Sequence, residues 1–177
     1  LEAAGVDDDE SAVAEAPDVD PALRQELGLG GTPGAGLRVE SSVLHPALKV
    51  RGLAAADVGA RATNSIPTEA TGSVDFRLVP DQTPEKVREK VEAYLRRQGF
   101  HLVRAAPDRA TLAAHPRVLR VEWGTGYPPS RTPMDLPVSR AVSRIVSEAA
   151  GAPAVLLPTL GGSVPIHVFQ RILGTPI

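Results

Sequence analysis

Three stretches of this chain alternate apolar and polar side chains with a period of two, and an amphipathic helical pattern separates the second from the third. Leu48 and Val50 alternate with Lys49 and Arg51. Val74, Phe76 and Leu78 alternate with Ser73, Asp75 and Arg77, and Leu119, Val121 and Trp123 with Val118, Arg120 and Glu122. Successive side chains of a strand point to opposite faces, so each stretch predicts a strand with one core-facing side and one more polar side. The helix is marked by Thr83 as N-cap, Pro84 at the first position, Glu85 in the first turn, a stripe of Val87, Val91, Tyr94 and Leu95, and Gly99 as its stop. A short strand, Phe100 to Val103, is expected directly after it. Half-polar strands interrupted by one helix describe an α+β fold, a two-layer sandwich with an antiparallel sheet.

The texture changes near Asp135. Val138, Ala141, Val142, Ile145, Val146 and Ala149 form a helical stripe that stops at Gly151. Ala154 to Leu157 is continuously apolar, as a strand buried on both faces would be. Pro158-Thr159-Leu160-Gly161-Gly162-Ser163 then leads to a second helical stripe of Ile166, Phe169, Ile172 and Leu173. Helix, buried strand, glycine turn and helix make a piece of a parallel α/β domain, and one such piece cannot cover its own strand. Its partners are therefore expected outside the chain, and both ends, Leu1 and Ile177, read as cuts.

At the other end, residues 1–19 combine an acidic cluster, Asp7 to Glu10, with small side chains and no sustained period, and read as a solvated linker or frayed arm. Asp20 as N-cap and Pro21 then begin a short helix that carries Leu23 and Leu27. Glycines 28, 30, 31, 34 and 36 follow as a flexible loop. As a phosphate cradle the loop lacks both a preceding strand and the Lys-Ser/Thr ending.

Composition removes several function classes. The chain has 177 residues, a net charge of −2 and no cysteine, so it holds no disulfide framework, thiolate metal cage or Cys nucleophile. The acids concentrate before residue 21, and the bases beyond are too scattered for a nucleic-acid groove. No apolar run approaches the ~18 residues of a membrane span and no signal peptide is visible, so a reducing, cytoplasmic setting is the expectation. The four histidines, His45, His101, His115 and His167, lack the local spacing of a self-contained metal site. Gly161-Gly162-Ser163 lacks the glycine that follows the nucleophile in an elbow motif. That turn reads either as a tight turn with Ser163 as a helix cap, or as backbone N–H groups open to an anion at a helix start. Arg77 projects from the polar face beside Asp75, either as a surface ion pair or as a guanidinium clamp for a carboxylate. Asn64, upstream on the approach to the same strand, is the nearest uncharged donor.

Four motifs become specific as an ordered set: Leu48-Lys49-Val50-Arg51-Gly52-Leu53; Asn64-Ser65-Ile66-Pro67; Asp75-Phe76-Arg77-Leu78-Val79-Pro80-Asp81-Gln82-Thr83-Pro84; and Pro158-Thr159-Leu160-Gly161-Gly162-Ser163-Val164-Pro165. In this order they resemble the dimeric zinc metallopeptidases of family M20, which include carnosine dipeptidase, acetylornithine deacetylase and succinyl-diaminopimelate desuccinylase. The resemblance covers residues 37–177 and is weak over 1–36.

It implies that residues 37–132 are an incomplete lid or dimerisation domain, and 133–177 an incomplete part of the catalytic domain, after an acidic linker and short helix at 1–36. It implies a homodimer joined through the lid sheet and helix, and a dipeptide or N-acyl amino acid as substrate. Arg77 resembles the arginine that binds the substrate carboxylate. Asn64 stands where a polar residue reaches the neighbouring subunit's site, and Gly161, Gly162 and Ser163 match the turn that meets the same carboxylate. The family's two zinc ions are implied for an intact parent enzyme. Their His-x-Asp, bridging Asp, Glu-Glu and C-terminal His ligands have no counterpart here, so neither a bound metal nor a catalytic residue is expected on this chain. The alternative reading is a non-catalytic α+β interaction module that dimerises through its sheet edge.

Overall fold

The computed structural model describes residues 6–32, 36–162 and 164–177. Residues 1–5 of the expected arm, Gly34 of the glycine loop, and Ser163 lie outside the described residues. In chain order the elements are α1 (Val6–Glu15), α2 (Asp20–Leu27), α3 (Val39–Ser42), β1 (Ala47–Ala54), a 3-10 turn (Gly59–Arg61), β2 (Thr71–Arg77), α4 (Pro84–Arg97), β3 (His101–Val103), α5 (Arg109–Ala114), β4 (Val118–Arg120), α6 (Pro137–Ala150) and α7 (Ile166–Leu173). They fall into two units, residues 1–79 with 132–162 and residues 80–131 with 163–177. Mixed helices and strands with an antiparallel pair make this an α+β fold, as the alternation implies. Among the described residues, no helix is long and apolar enough to cross a membrane.

In the first unit the expected linker is helical. α1 occupies most of it, and Val13, 2% exposed, and Ala16 are its buried apolar side chains. The last turn of a helix leaves carbonyls without intrahelical partners. Here the guanidinium of Arg38 donates to the carbonyls of Val13 (3.4 Å), Ala14 (3.3 Å) and Ala16 (2.7 Å). Glu40 holds that arginine at 3.6 Å and accepts from the Val19 N–H. The helix thus depends on a cation more than twenty residues downstream, which the local pattern does not contain. Asp20 is likewise not the cap of α2, where Val19 takes that position. Its carboxylate accepts from the Val39 N–H and the Thr32 hydroxyl, both at 3.1 Å, and so ties α2 to α3.

β1 and β2 form an antiparallel hairpin ladder in which Leu48 faces Phe76, Lys49 faces Asp75 and Val50 faces Val74. A bulge follows Val50, after which Gly52 faces Ser73 and Leu53 faces Gly72. Paired residues share a face. One face therefore carries Leu48, Val50, Leu53, Val74 and Phe76, and the other carries Lys49, Asp75 and Arg77. A Cβ on Gly72 would lie 3.2 Å from Leu53 Cδ2, so glycine makes room for the re-phased leucine. The apolar face is open, with Leu53 80% exposed. α6 runs from Pro137 to a left-handed Gly151 as its stripe predicts. The strand expected at Ala154 to Leu157 does not form, because no neighbouring strand among the described residues offers it a ladder. Ser147 Oγ accepts from the Ala154 N–H instead.

In the second unit α4 begins as expected, with Thr83 Oγ1 accepting from the Lys86 N–H at 3.2 Å and Pro84 in the first turn. After Gly99, in the left-handed region at φ 83°, comes β3. β3 pairs with β4 in parallel, in contrast to the antiparallel sheet expected from the sequence, because α5 intervenes as a crossover. Glu92 of α4, 6% exposed, ties this unit together. Its carboxylate accepts from Arg104 (2.5 Å), Arg96 (3.1 Å) and the Trp123 indole (2.9 Å). The Arg104 hydrogen bond, against a smaller opposing effect of burial, holds the carboxyl below its ordinary value. α7 shows the expected stripe, but Phe169, Ile172 and Leu173 on it are exposed. Ser130 Oγ donates to Gln170 Oε1 of this helix, and its His167 ring stacks on Tyr127 at 5.2 Å.

Candidate functional site

The polar face of the hairpin gathers the charged residues that the alternation of β1 and β2 placed opposite the core. Arg77 ends β2, and its Nε lies 2.9 Å from Asp75 Oδ2. The two residues are neighbours on one face because they are two apart in a strand. Lys49 is the cross-strand partner of Asp75, and Ala47 that of Arg77. Arg51 is the extra residue of the bulge, two positions from Lys49 in the chain. Arg77 is 45% exposed, and Lys49 and Arg51 are exposed. Arg77 and Lys49 thus stand about the Asp75 carboxylate on a strand surface, with Arg51 close by in the chain, an arrangement that suits an anionic ligand.

The remaining expected site residues are placed less closely. Asn64 lies in the exposed segment between the 3-10 turn and β2. Gly161 and Gly162 form a tight turn closed by the Gly162 N–H on the Leu160 carbonyl at 2.8 Å. Neither has a left-handed φ. A Cβ on Gly162 would meet open space, and one on Gly161 would make ordinary contact with Val43 at 3.5 Å. The backbone of this unit therefore does not itself require glycine at these two positions. Ser163 is outside the described residues, and α7 begins three residues beyond it, at Ile166. A helix starting at the turn itself, which the anion reading invoked, is not what forms.

Among the described residues the cluster that could hold a metal ion is Asp18, Asp20 and Glu40. It does not fit the zinc pair that the resemblance implies for a parent enzyme. It contains no histidine, and zinc sites draw heavily on imidazole and thiolate. Its oxygens are also in use: Asp18 accepts from the Asp20 N–H, Asp20 from Val39 and Thr32, and Glu40 from Val19, with Arg38 beside it. These bonds fasten α1, α2 and α3, and no reaction step is assigned to the cluster. His101 and His115 stack face to face at 3.7 Å, which directs their ring edges outward and not toward a shared ion.

Sequence reasoning missed the role of Arg38 and the Glu92 hub. The second had a signal, since Glu92 precedes Arg96 by four residues on a helix, a spacing that brings opposite charges together. The indole and Arg104 come from later segments and leave no local trace.

Residues 22–102 match the family model of the peptidase dimerisation domain of M20 peptidases. Two solved structures share the fold over nearly the whole chain. One is an M20 family metallo-carboxypeptidase from Sulfolobus solfataricus, with 22% identity and a TM-score of 0.69, covering 96% of this chain and 35% of its own. The other is the di-peptidase Dug1p from Saccharomyces cerevisiae, with 20% identity and a TM-score of 0.59, covering 97% of this chain and 36% of its own. The chain thus spans about a third of the length of the structures it matches. The resemblance read from the four motifs is to this peptidase family, and the comparisons do not single out a subfamily.

Proposed function

We propose that this chain is the lid and substrate-clamp portion of a metal-dependent peptidase or amidohydrolase that cleaves a dipeptide or an N-acyl amino acid. In this reading residues 37–132 supply the dimer surface, and residues 133–177 return into a catalytic domain. The observation that carries it is the coincidence of the dimerisation-domain match with a polar strand face that presents Arg77, half exposed, beside the Asp75 carboxylate. Arg77 binds the substrate carboxylate, and Asp75 orients it. Gly161 and Ser163 add backbone N–H groups, Gly162, whose own N–H is held by the Leu160 carbonyl, leaves room for the ligand beside them, and Asn64 serves the neighbouring subunit of a homodimer. The openness around Gly162 supports this, because a side chain there would obstruct a ligand and the fold supplies no other reason for its absence. Zinc would be held by residues of the parent enzyme that this chain lacks, so the isolated chain is inactive.

Two measurements test the proposal. The purified chain, given zinc, should not hydrolyse dipeptides or N-acyl amino acids, and chelator-sensitive turnover would overturn that part. In an intact enzyme, losing a charge-assisted contact costs on the order of 2 to 4 kcal/mol. Arg77→Ala should therefore lower kcat/KM about a hundredfold, and a near-normal value would place the clamp elsewhere. A dimer in sedimentation, with no effect of Arg77→Ala on any hydrolase containing this segment, would favour the non-catalytic interaction module.

A further inference from the structure

We propose that the ligand of the hairpin's polar face carries two carboxylates, and that Lys49 binds the second. This rests on the reading of Arg77 as a carboxylate clamp and adds the class of ligand it selects. The register supplies the geometry. Arg77 stands opposite Ala47, and Lys49 is two residues farther along the same strand, so the two cations are diagonal neighbours on one face. Such neighbours lie about 7–8 Å apart at the backbone. Long side chains converge from that separation onto two carboxylates a few carbons apart, the spacing in a glutamate-like amino-acid dicarboxylate.

Charge pairing points the same way. Asp75 faces Lys49 across the ladder, yet its carboxylate pairs with Arg77 Nε at 2.9 Å. Among the described residues Lys49 and Arg51 make no ion pair. A monoanion on Arg77 would meet the charge of Asp75 and leave Lys49 without a counter-ion. A dianion offsets the same repulsion with a second attraction. Because both cations are open to water, the gain is that of an exposed ion pair, about fivefold in affinity. It should vanish at 1 M salt, where the screening length falls to about 3 Å.

The test uses the full chain, titrated calorimetrically at low ionic strength with N-acetyl-L-glutamate and with N-acetyl-L-glutamine, nearly isosteric probes that differ by one charge. Wild type should bind the glutamate probe about fivefold more tightly, and Lys49→Met should erase the preference without weakening the glutamine probe. Arg77→Ala should weaken both. Circular dichroism of each variant checks that the exposed substitutions leave the fold intact. Equal wild-type affinities, or a preference that survives Lys49→Met, would overturn the dianion inference and leave the clamp standing. Binding of neither probe, or binding of both unaffected by Arg77→Ala, would overturn the clamp and the inference with it.

Discussion

Replacing Glu92 by alanine removes the common acceptor of three donors, and the structure allows the cost to be apportioned. The Glu92 side chain is buried, whereas those of Arg96 and Arg104 are more than half exposed. After truncation the two guanidinium groups regain water. Their bonds should therefore count near the low end for exposed ion pairs, about 0.5 kcal/mol each. The Trp123 indole N–H is half-buried and loses an ionised acceptor, a loss of about 1.5 kcal/mol. Together these give about 2.5 kcal/mol. Trp123 is the only tryptophan of the chain, so its fluorescence reports unfolding at the site itself. In urea titrations Glu92→Ala should lower the unfolding free energy by that amount, and Glu92→Gln, which keeps an acceptor for the indole, by about half. The pH dependence has a defined sign. Arg104 lowers the folded carboxyl below its ordinary 4.5, so the stabilisation is present above 4.5 and disappears as pH falls through the folded value. Wild type should lose this increment on acidification, and Glu92→Gln should lack that part of the acid limb. A Glu92→Ala change under about 0.5 kcal/mol, or the same acid limb in wild type and Glu92→Gln, would refute the hub.

Arg38→Ala should unravel the end of α1, costing about 1 to 2 kcal/mol and reducing helical ellipticity, since three carbonyls lose the guanidinium and, among the described residues, only that of Val13 keeps another donor, the Ala16 N–H. Unchanged ellipticity would show that α1 stands without it. Thr83→Ala should cost about 1 kcal/mol in thermal unfolding through loss of the α4 cap, with Thr83→Ser restoring most of it. Deleting Arg51 should leave the β1–β2 cross-strand contacts intact by NMR while weakening the binding of anionic probes. Loss of the hairpin would contradict the register.

What the sequence revealed depended on how far apart the cooperating residues lie. α4 and α6 were legible because their signals are local: Thr83 and Pro84 start one, Gly151 stops the other in the left-handed region, and a continuous stripe fills each. α1 was not, because the groups that close its end, Arg38 and Glu40, lie more than twenty residues downstream and leave no local pattern. The parallel pairing of β3 with β4 rests on three residues a side, too few for alternation to show direction. α5 did leave a sign, Asp108 three residues before Thr111, whose N–H it accepts at 2.8 Å. The apolar run at Ala154 to Leu157 was read as a strand on composition, but a strand also needs a neighbour to bond with. At the site, period two was enough to place Arg77 beside Asp75. Lys49 could be placed against them only from the ladder register, which hydrophobic pattern alone does not number.

The bulge at Arg51 is the point where fold and proposed function separate. If Arg51 were absent, Gly52 would still fall on the charged face opposite Ser73, and Leu53 on the apolar face opposite Gly72, by simple alternation from Val50. The extra residue is therefore not needed to keep the two faces distinct. Its effects are a local increase in twist and the addition of an exposed cation two residues from Lys49. Pairing cannot explain it, since Arg51 has no cross-strand partner, and burial cannot either, since it is exposed. The opposite face leads to a matching conclusion by different chemistry. Leu48, Val50 and Leu53 form an apolar surface that costs free energy while water covers it, on the order of 25 cal/mol per Å². A hairpin with one face apolar and open and the other charged and open offers two chemically distinct surfaces to water.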